Sequence, residues 1–396
     1  MPQSVLWQKP RLHENPTHHR KVSWLELFFD LVFVVVISEL VHVLSTNPSL
    51  EVIGTYFFLF IPAWWIWIGA TYYNDRFETD GLENRVFTFL LMLPVAGLAI
   101  FAHEITSIGY GLCYAVARLL IVIMWARAAY YENRFRPVGK IFVIGYGFSI
   151  FLFCASLWVE APERFILWAV ALAFDLLTPL FSLKRQATLP QFSLTKLPER
   201  LGLFVLIVMG ETLVGVIRGV ARHHHFSVKI VAEGILGIAI SFALWWIYFD
   251  FIAKRQPKST HRTTFMWSYL HLFFVMGIGA VGAALLHILT SKHHVPSDSV
   301  RYLMTASLAI SLMLIGLIET LLQKDEQLSL NGKICNRMKF LSAALLAGVG
   351  IWGHEMHSLS LLSCGFAALF VPIGYGLFIY RKRAQQYLQN AAPEVH

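Results

Sequence analysis

"LELFFDLVFVVVISELV" occupies residues 25–41, and thirteen of its 17 residues are apolar. The apolar residues fall on every side of a helix and form no single stripe. Such a helix is either deeply buried or crosses a membrane. The stretch also carries three acids, Glu26, Asp30 and Glu39, which lipid does not tolerate. Both features have to be explained together.

The rest of the chain decides for the membrane. Hydrophobic residues make up 57% of the 396 residues and charged residues 14%, with 31 Phe and 12 Trp. A soluble protein carries about 25% charged residues. The formal net charge is +8, but the basic residues lie in short gaps between apolar runs and form no stripe. They fit orientation in a bilayer, and no nucleic-acid partner is expected. Cys113, Cys154, Cys335 and Cys364 are far apart and lie in or beside apolar runs. That spacing fits neither a disulfide framework nor a zinc site. Residues 1–24 lack an apolar signal-peptide core, so an uncleaved N-terminus is expected.

A spanning helix needs about 20 mostly apolar residues. Twelve such runs are present: 25–45, 51–73, 86–105, 109–131, 139–159, 164–183, 200–219, 229–252, 264–290, 300–322, 337–353 and 357–380. The fold class expected is an all-α polytopic membrane protein. One alternating set of tails and gaps holds 25 of the 32 Lys and Arg, the opposite set holds six, and Arg118 lies inside a run. This asymmetry predicts cytoplasmic N- and C-terminal tails at 1–24 and 381–396.

The two halves echo each other. "ELFFDLVFVVVISELV" (26–41) resembles "ERLGLFVLIVMGETLV" (199–214), and "WWIW" (64–67) matches "WWIY" (245–248). Glu26 to Glu199, Trp64 to Trp245 and Arg85 to Arg262 are offset by 173, 181 and 177 residues. We therefore expect two parallel six-helix repeats, 25–183 and 200–380, joined by a cytoplasmic linker at 184–199. Their pseudo-twofold axis would lie along the membrane normal, an arrangement known in secondary transporters.

The charges inside the runs carry the functional reading. Glu26 and Glu199 sit at the cytoplasmic boundary, where solvent is expected to reach them and each stabilises a helix start. Glu39 and Glu211 lie about 20 and 18 Å further along their helices, past the bilayer midplane. Nine residues separate Asp30 from Glu39, about 180° of helix. The first helix is therefore expected to be enclosed by protein on most sides, or locally unwound. Arg118 and Asp175 lie near the midpoints of the fourth and sixth runs, and equal depth makes them a pair. The corresponding second-half positions, near Ala306 and Ala368, are apolar. His271 lies a third of the way into the ninth run, and its titration range suits proton exchange. Histidines crowd the expected outer side, but "HEMH" (354–357) lacks the spacing of a metalloprotease helix. No metal or other cofactor is expected, and no nucleotide loop or nucleophile elbow appears.

"VSWLELFFDLVFVVVISEL" (22–40) and "PERLGLFVLIVMGETLVGVI" (198–217) resemble two signature stretches of the bacterial low temperature requirement protein A family, and "SYLHL" (268–272) is similar to a third. The resemblance covers roughly residues 20–385. It implies a polytopic inner-membrane protein associated by name with growth in the cold, and it implies no substrate. Asp30, Glu39, Glu199 and Glu211 fall on the motif positions, whereas the histidines at 223–225 do not.

The residues thus point to a secondary transporter, not an enzyme. Asp30, Glu39, Arg118, Asp175, Glu211 and His271 are its expected proton- or substrate-binding residues. Its partners are the bilayer and a small molecule or ion, and a second copy of the chain is left open. An ion channel and an enzyme acting on lipid head groups are the competing readings.

Overall fold

Ser23 fixes where the first apolar run becomes helix. Its hydroxyl accepts a hydrogen bond from the Glu26 backbone N–H at 3.2 Å, and Glu26 Oε2 accepts one from the Ser23 N–H at 2.9 Å. This reciprocal capping box starts α1 (Trp24–Thr46). A computed structural model of the chain describes residues 7–14, 20–78, 81–104, 108–223, 225, 227–253, 255–323 and 331–391. The other helices of the first half are α2 (Leu50–Arg76), α3 (Leu82–Ile100), α4 (Ile108–Tyr131), α5 (Arg136–Ala155), α6 (Glu163–Phe181) and the short α7 (Leu183–Gln186). A 3-10 turn, Phe101–His103, continues α3. Beyond them come α8 (Lys196–Ala221), α9 (Val228–Tyr248), α10 (His261–Thr290), α11 (Asp298–Thr320), α12 (Asn331–Trp352) and α13 (Ser358–Ala391). Among the described residues, 12 helices are long and apolar enough to cross a membrane. The chain is an all-α, multi-pass membrane protein.

Compactness divides it into two units, Met1–Glu211 with Gln256–Leu272, and Thr212–Arg255 with Phe273–His396. Both α8 and α10 contribute to each unit. In the first unit α1 packs on α2 and α3, α3 on α4, α4 on α2 and α5, and α5 on α6. In the second, α11 packs on α12, α12 on α13 and α13 on α9.

The segments expected as an N-terminal tail and a linker are both fastened to the first unit. Residues Arg11–Leu12 (β1) pair antiparallel with Phe77–Glu78 (β2), just past the end of α2. Gln8 N donates to Glu83 Oε2 at 3.0 Å, and Leu12 is buried. In the linker, Leu189, Phe192 and Ser193 are buried. Arg76 donates to Gln186 Oε1 at 3.0 Å and lies 4.2 Å over the Phe192 ring. Asp75 Oδ2 accepts from the Ser193 N–H at 2.8 Å.

Candidate functional site

Glu26 and Asp30 lie one turn apart on α1, so they share a face. Lys196 and Arg200 lie one turn apart on α8 and supply the matching bases. Lys196 Nζ is 2.9 Å from Glu26 Oε1, and Arg200 Nη1 is 3.2 Å from the same oxygen. Arg200 Nη2 donates to Asp30 Oδ1 at 3.0 Å, and Trp67 Nε1 on α2 donates to that oxygen at 2.7 Å. The site is walled by aromatic rings. Phe204 lies 4.1 Å from Trp67 and 5.4 Å from Trp64, centroid to centroid.

All four charged residues are buried. The expectation that solvent reaches Glu26 is therefore corrected. Helix α8 begins at Lys196, a turn before the expected run at 200, and brings its first two bases over the start of α1. Glu199, on the other face of that turn, is exposed as expected. The cluster balances two acids against two bases, but it leaves atoms unused. Asp30 Oδ2, Arg200 Nε and Trp64 Nε1 are buried without a hydrogen-bond partner among the described residues.

A second network joins α4, α5 and α6. Arg118 Nε donates to Asp175 Oδ1 at 3.1 Å, and Arg118 Nη2 lies 3.0 Å from the same oxygen. The depth-matched pair read from the sequence is a direct ion pair. Asp175 Oδ2 accepts from Ser149 Oγ at 2.8 Å and from the Tyr114 hydroxyl. The Tyr146 ring stacks 3.8 Å from the Arg118 guanidinium. Arg118 and Asp175 are 1% and 0% exposed.

The other expected residues lie elsewhere. Glu39 Oε2 is 2.5 Å from His103 Nε2, with side chains 36% and 47% exposed, and His42 stands 6.0 Å from the His103 ring. Protein does not enclose α1 on most sides, and α1 is not unwound. The 180° between Asp30 and Glu39 turns Glu39 away from the α2 and α8 contacts of Asp30, toward the turn that ends α3. Glu211 is half-buried and makes no hydrogen bond or ion pair among the described residues. The neighbouring Gly210 borders open space. His271 is buried, and its Nδ1 donates to the Trp267 carbonyl one turn back at 2.7 Å. No group of three or more His, Cys, Asp or Glu is placed to hold a metal among the described residues.

Sequence reasoning missed Lys196, Arg200, Trp67, Tyr114, Tyr146, Ser149 and His103. For the first two a signal existed: bases four residues apart at the depth where α1 carries acids four residues apart.

The chain belongs to the bacterial low temperature requirement A protein family, whose model matches residues 21–373. It is 30% identical over 292 residues to the uncharacterized protein RA0937 of Rhizobium meliloti (strain 1021), a match that covers 67% of this chain and 69% of that one. No solved structure matches it.

Proposed function

We propose that this family member is a proton-coupled secondary transporter of the bacterial inner membrane, with Asp30 as the group that takes and releases the proton. One observation carries the reading: a fully buried acid in a spanning helix uses only one of its oxygens. An acid inside a span is costly and by default functional. A proton at Asp30 Oδ2 displaces no existing hydrogen bond. At Glu26 it would compete with Ser23 on one oxygen and with Lys196 and Arg200 on the other.

Protonation removes the negative charge facing Arg200 Nη2, which leaves that guanidinium with Glu26 alone. This change of partner, where α1, α2 and α8 meet, is the step we assign to coupling. Glu211, half-buried and unpaired, is the second candidate acid, and Glu39 with His103 is the third. The 25-to-6 charge split supports both termini in the cytoplasm. Reporter fusions at His396 and in the 220–228 gap should then report opposite sides of the membrane.

Uptake and efflux in proteoliposomes, across a broad metabolite panel with and without a pH gradient, test the proposal. The wild type should show gradient-driven flux of at least one solute, and Asp30→Asn should lose that component. Flux indifferent to the gradient would remove the proton coupling. A steady ionic conductance without gating would replace the transporter with a channel. A deletion strain gives a cheaper check of the link to cold: wild type should restore growth at low temperature, and Asp30→Asn should not.

A further inference from the structure

The outward faces of α5 and α6 are apolar for most of their length and basic at one end. The two helices run antiparallel in close contact. A methyl group on Gly145 would strike the Thr178 side chain, and the Phe148 and Phe174 rings lie 4.6 Å apart, centroid to centroid. Nearer the start of α5, Arg185 Nη1 on α7 donates to the Pro137 carbonyl at 3.1 Å. These three contacts share one register, which sets Lys140 on α5 level with Lys184 on α7. Arg136, Lys140, Lys184 and Arg185 are all exposed. Arg136 donates to the Ala129 and Tyr130 carbonyls, so neither arginine meets a carboxylate, and Lys140 and Lys184 have no hydrogen-bond or ion partner, all among the described residues. Against these four bases stands Glu132, one turn before Arg136, and three positive charges are left over. Within 133–149 and 174–195 the only acid is Asp175, which is buried against Arg118.

Bases that only orient a helix need no particular surroundings. These four stand at the head of two apolar stripes. Ile144 and Phe148 follow Lys140 at one-turn intervals on α5, and Phe181, Leu177 and Phe174 precede Lys184 at intervals of three or four on α6, so each set shares a face. All five are exposed, Ile144 and Phe181 to 72% each. The stripes flank one groove, because Phe148 meets Phe174 across it. From Lys140 to the exposed Phe151 is about 16 Å of helix, close to half of a hydrocarbon core about 30 Å thick. The groove is one leaflet long.

We infer that this groove holds an anionic phospholipid, with its phosphate between Lys140 and Lys184 and one acyl chain along Ile144, Phe148 and Phe181. Basic groups at the interfacial end of a groove between spanning helices suit a lipid phosphate, and a lysine stem can lie along the chain while its ammonium reaches the headgroup. A soluble anion or an acidic peptide would meet the bases and leave the stripes unused. A zwitterionic lipid would bring a further cation to a place that already has a surplus of positive charge. Ser149 donates to Asp175 at 2.8 Å, and these two residues directly follow Phe148 and Phe174 in the chain. A lipid seated here would brace the contact between α5 and α6 that holds Asp175 in place.

Native mass spectrometry of the full purified chain, offered equal amounts of phosphatidylglycerol and phosphatidylcholine in detergent, tests the site. One phosphatidylglycerol should stay bound under conditions that strip phosphatidylcholine, and excess inorganic phosphate should not displace it. Lys140→Gln combined with Lys184→Gln should weaken its retention about thirtyfold, the effect of two bases at an anionic headgroup. Ile144→Ser keeps every charge and removes part of the stripe, and it should weaken retention about fivefold. Lys292→Gln, at an exposed base in the connection from α10 to α11, should bind as the wild type does. All of these changes fall on exposed side chains, so the variants should fold. Equal retention of the two lipids, or an equal loss in Lys292→Gln, would reduce the site to the ordinary lipid shell and overturn it. Displacement by phosphate, or wild-type retention in Ile144→Ser, would make it a soluble-anion site and overturn the lipid. Wild-type retention in the double lysine variant would overturn both.

Discussion

Arg200 and Arg118 are both 1% exposed, and each faces an aspartate that is 0% exposed. They differ in how many acids hold them. Arg200 is shared between Glu26 and Asp30, and each Nη group has its own carboxylate. Among the described residues Arg118 meets a single acid, whose other oxygen is turned to two hydroxyls. The first arrangement can lose one partner and still hold the arginine, which suits a joint that changes state. The second cannot lose its partner, which suits a fixed joint. Burial does not separate these roles; the number of acids facing each arginine does.

The sharpest way to break this comparison is to remove each aspartate in turn. Asp175→Asn strips Arg118 of its only counter-charge among the described residues and should cost about 3–5 kcal/mol of stability, as for other buried pairs broken on one side. Unfolding followed by circular dichroism in mixed micelles reads it. The double variant Arg118→Gln with Asp175→Asn should recover part of the loss; simple additivity would mean that the two are not coupled. Asp30→Asn leaves Arg200 with Glu26, so its cost should be smaller, about 1–3 kcal/mol for a lost charged hydrogen bond. Equal losses from the two aspartates would erase the distinction.

Smaller effects sharpen the same contrast at the ends of α1. Ser23→Ala removes half of the capping box and should cost about 1 kcal/mol. A null effect would mean that Lys196 and Arg200 alone fix Glu26. His103→Gln breaks a partly exposed pair and should cost less than about 1 kcal/mol. A loss as large as that of Asp30→Asn would show the far end of α1 to be enclosed after all.

What the sequence made legible follows from what charge and length can encode. Twelve apolar runs reveal twelve helices because lipid demands length. Arg118 and Asp175 could be matched because each is a lone charge at mid-span. Arg200 and Lys196 stayed hidden because the bases that set topology are the same residue types as the bases that neutralise buried acids. Tyr114 and Ser149 gave no signal, since both residue types are ordinary in spanning helices. For Glu39, counting gave a position along α1 but not its company. Depth comes from counting residues, whereas the neighbour on a given face depends on which helices pack there.

Asp30 and Arg200 are 170 residues apart in the chain, and that separation has a consequence for biosynthesis. At about 5–20 residues per second, α1 waits roughly 10–30 s for the bases that neutralise its acids. Through that interval five further spanning helices emerge, while Glu26 and Asp30 remain uncompensated. The nascent first helix should therefore linger at the translocon or the membrane surface and not settle at once at its final depth. A chain ending within 184–195 would never receive Lys196 or Arg200. It should be an assembly-arrested fragment, recognised by membrane quality-control proteases, although all of its own apolar runs are complete.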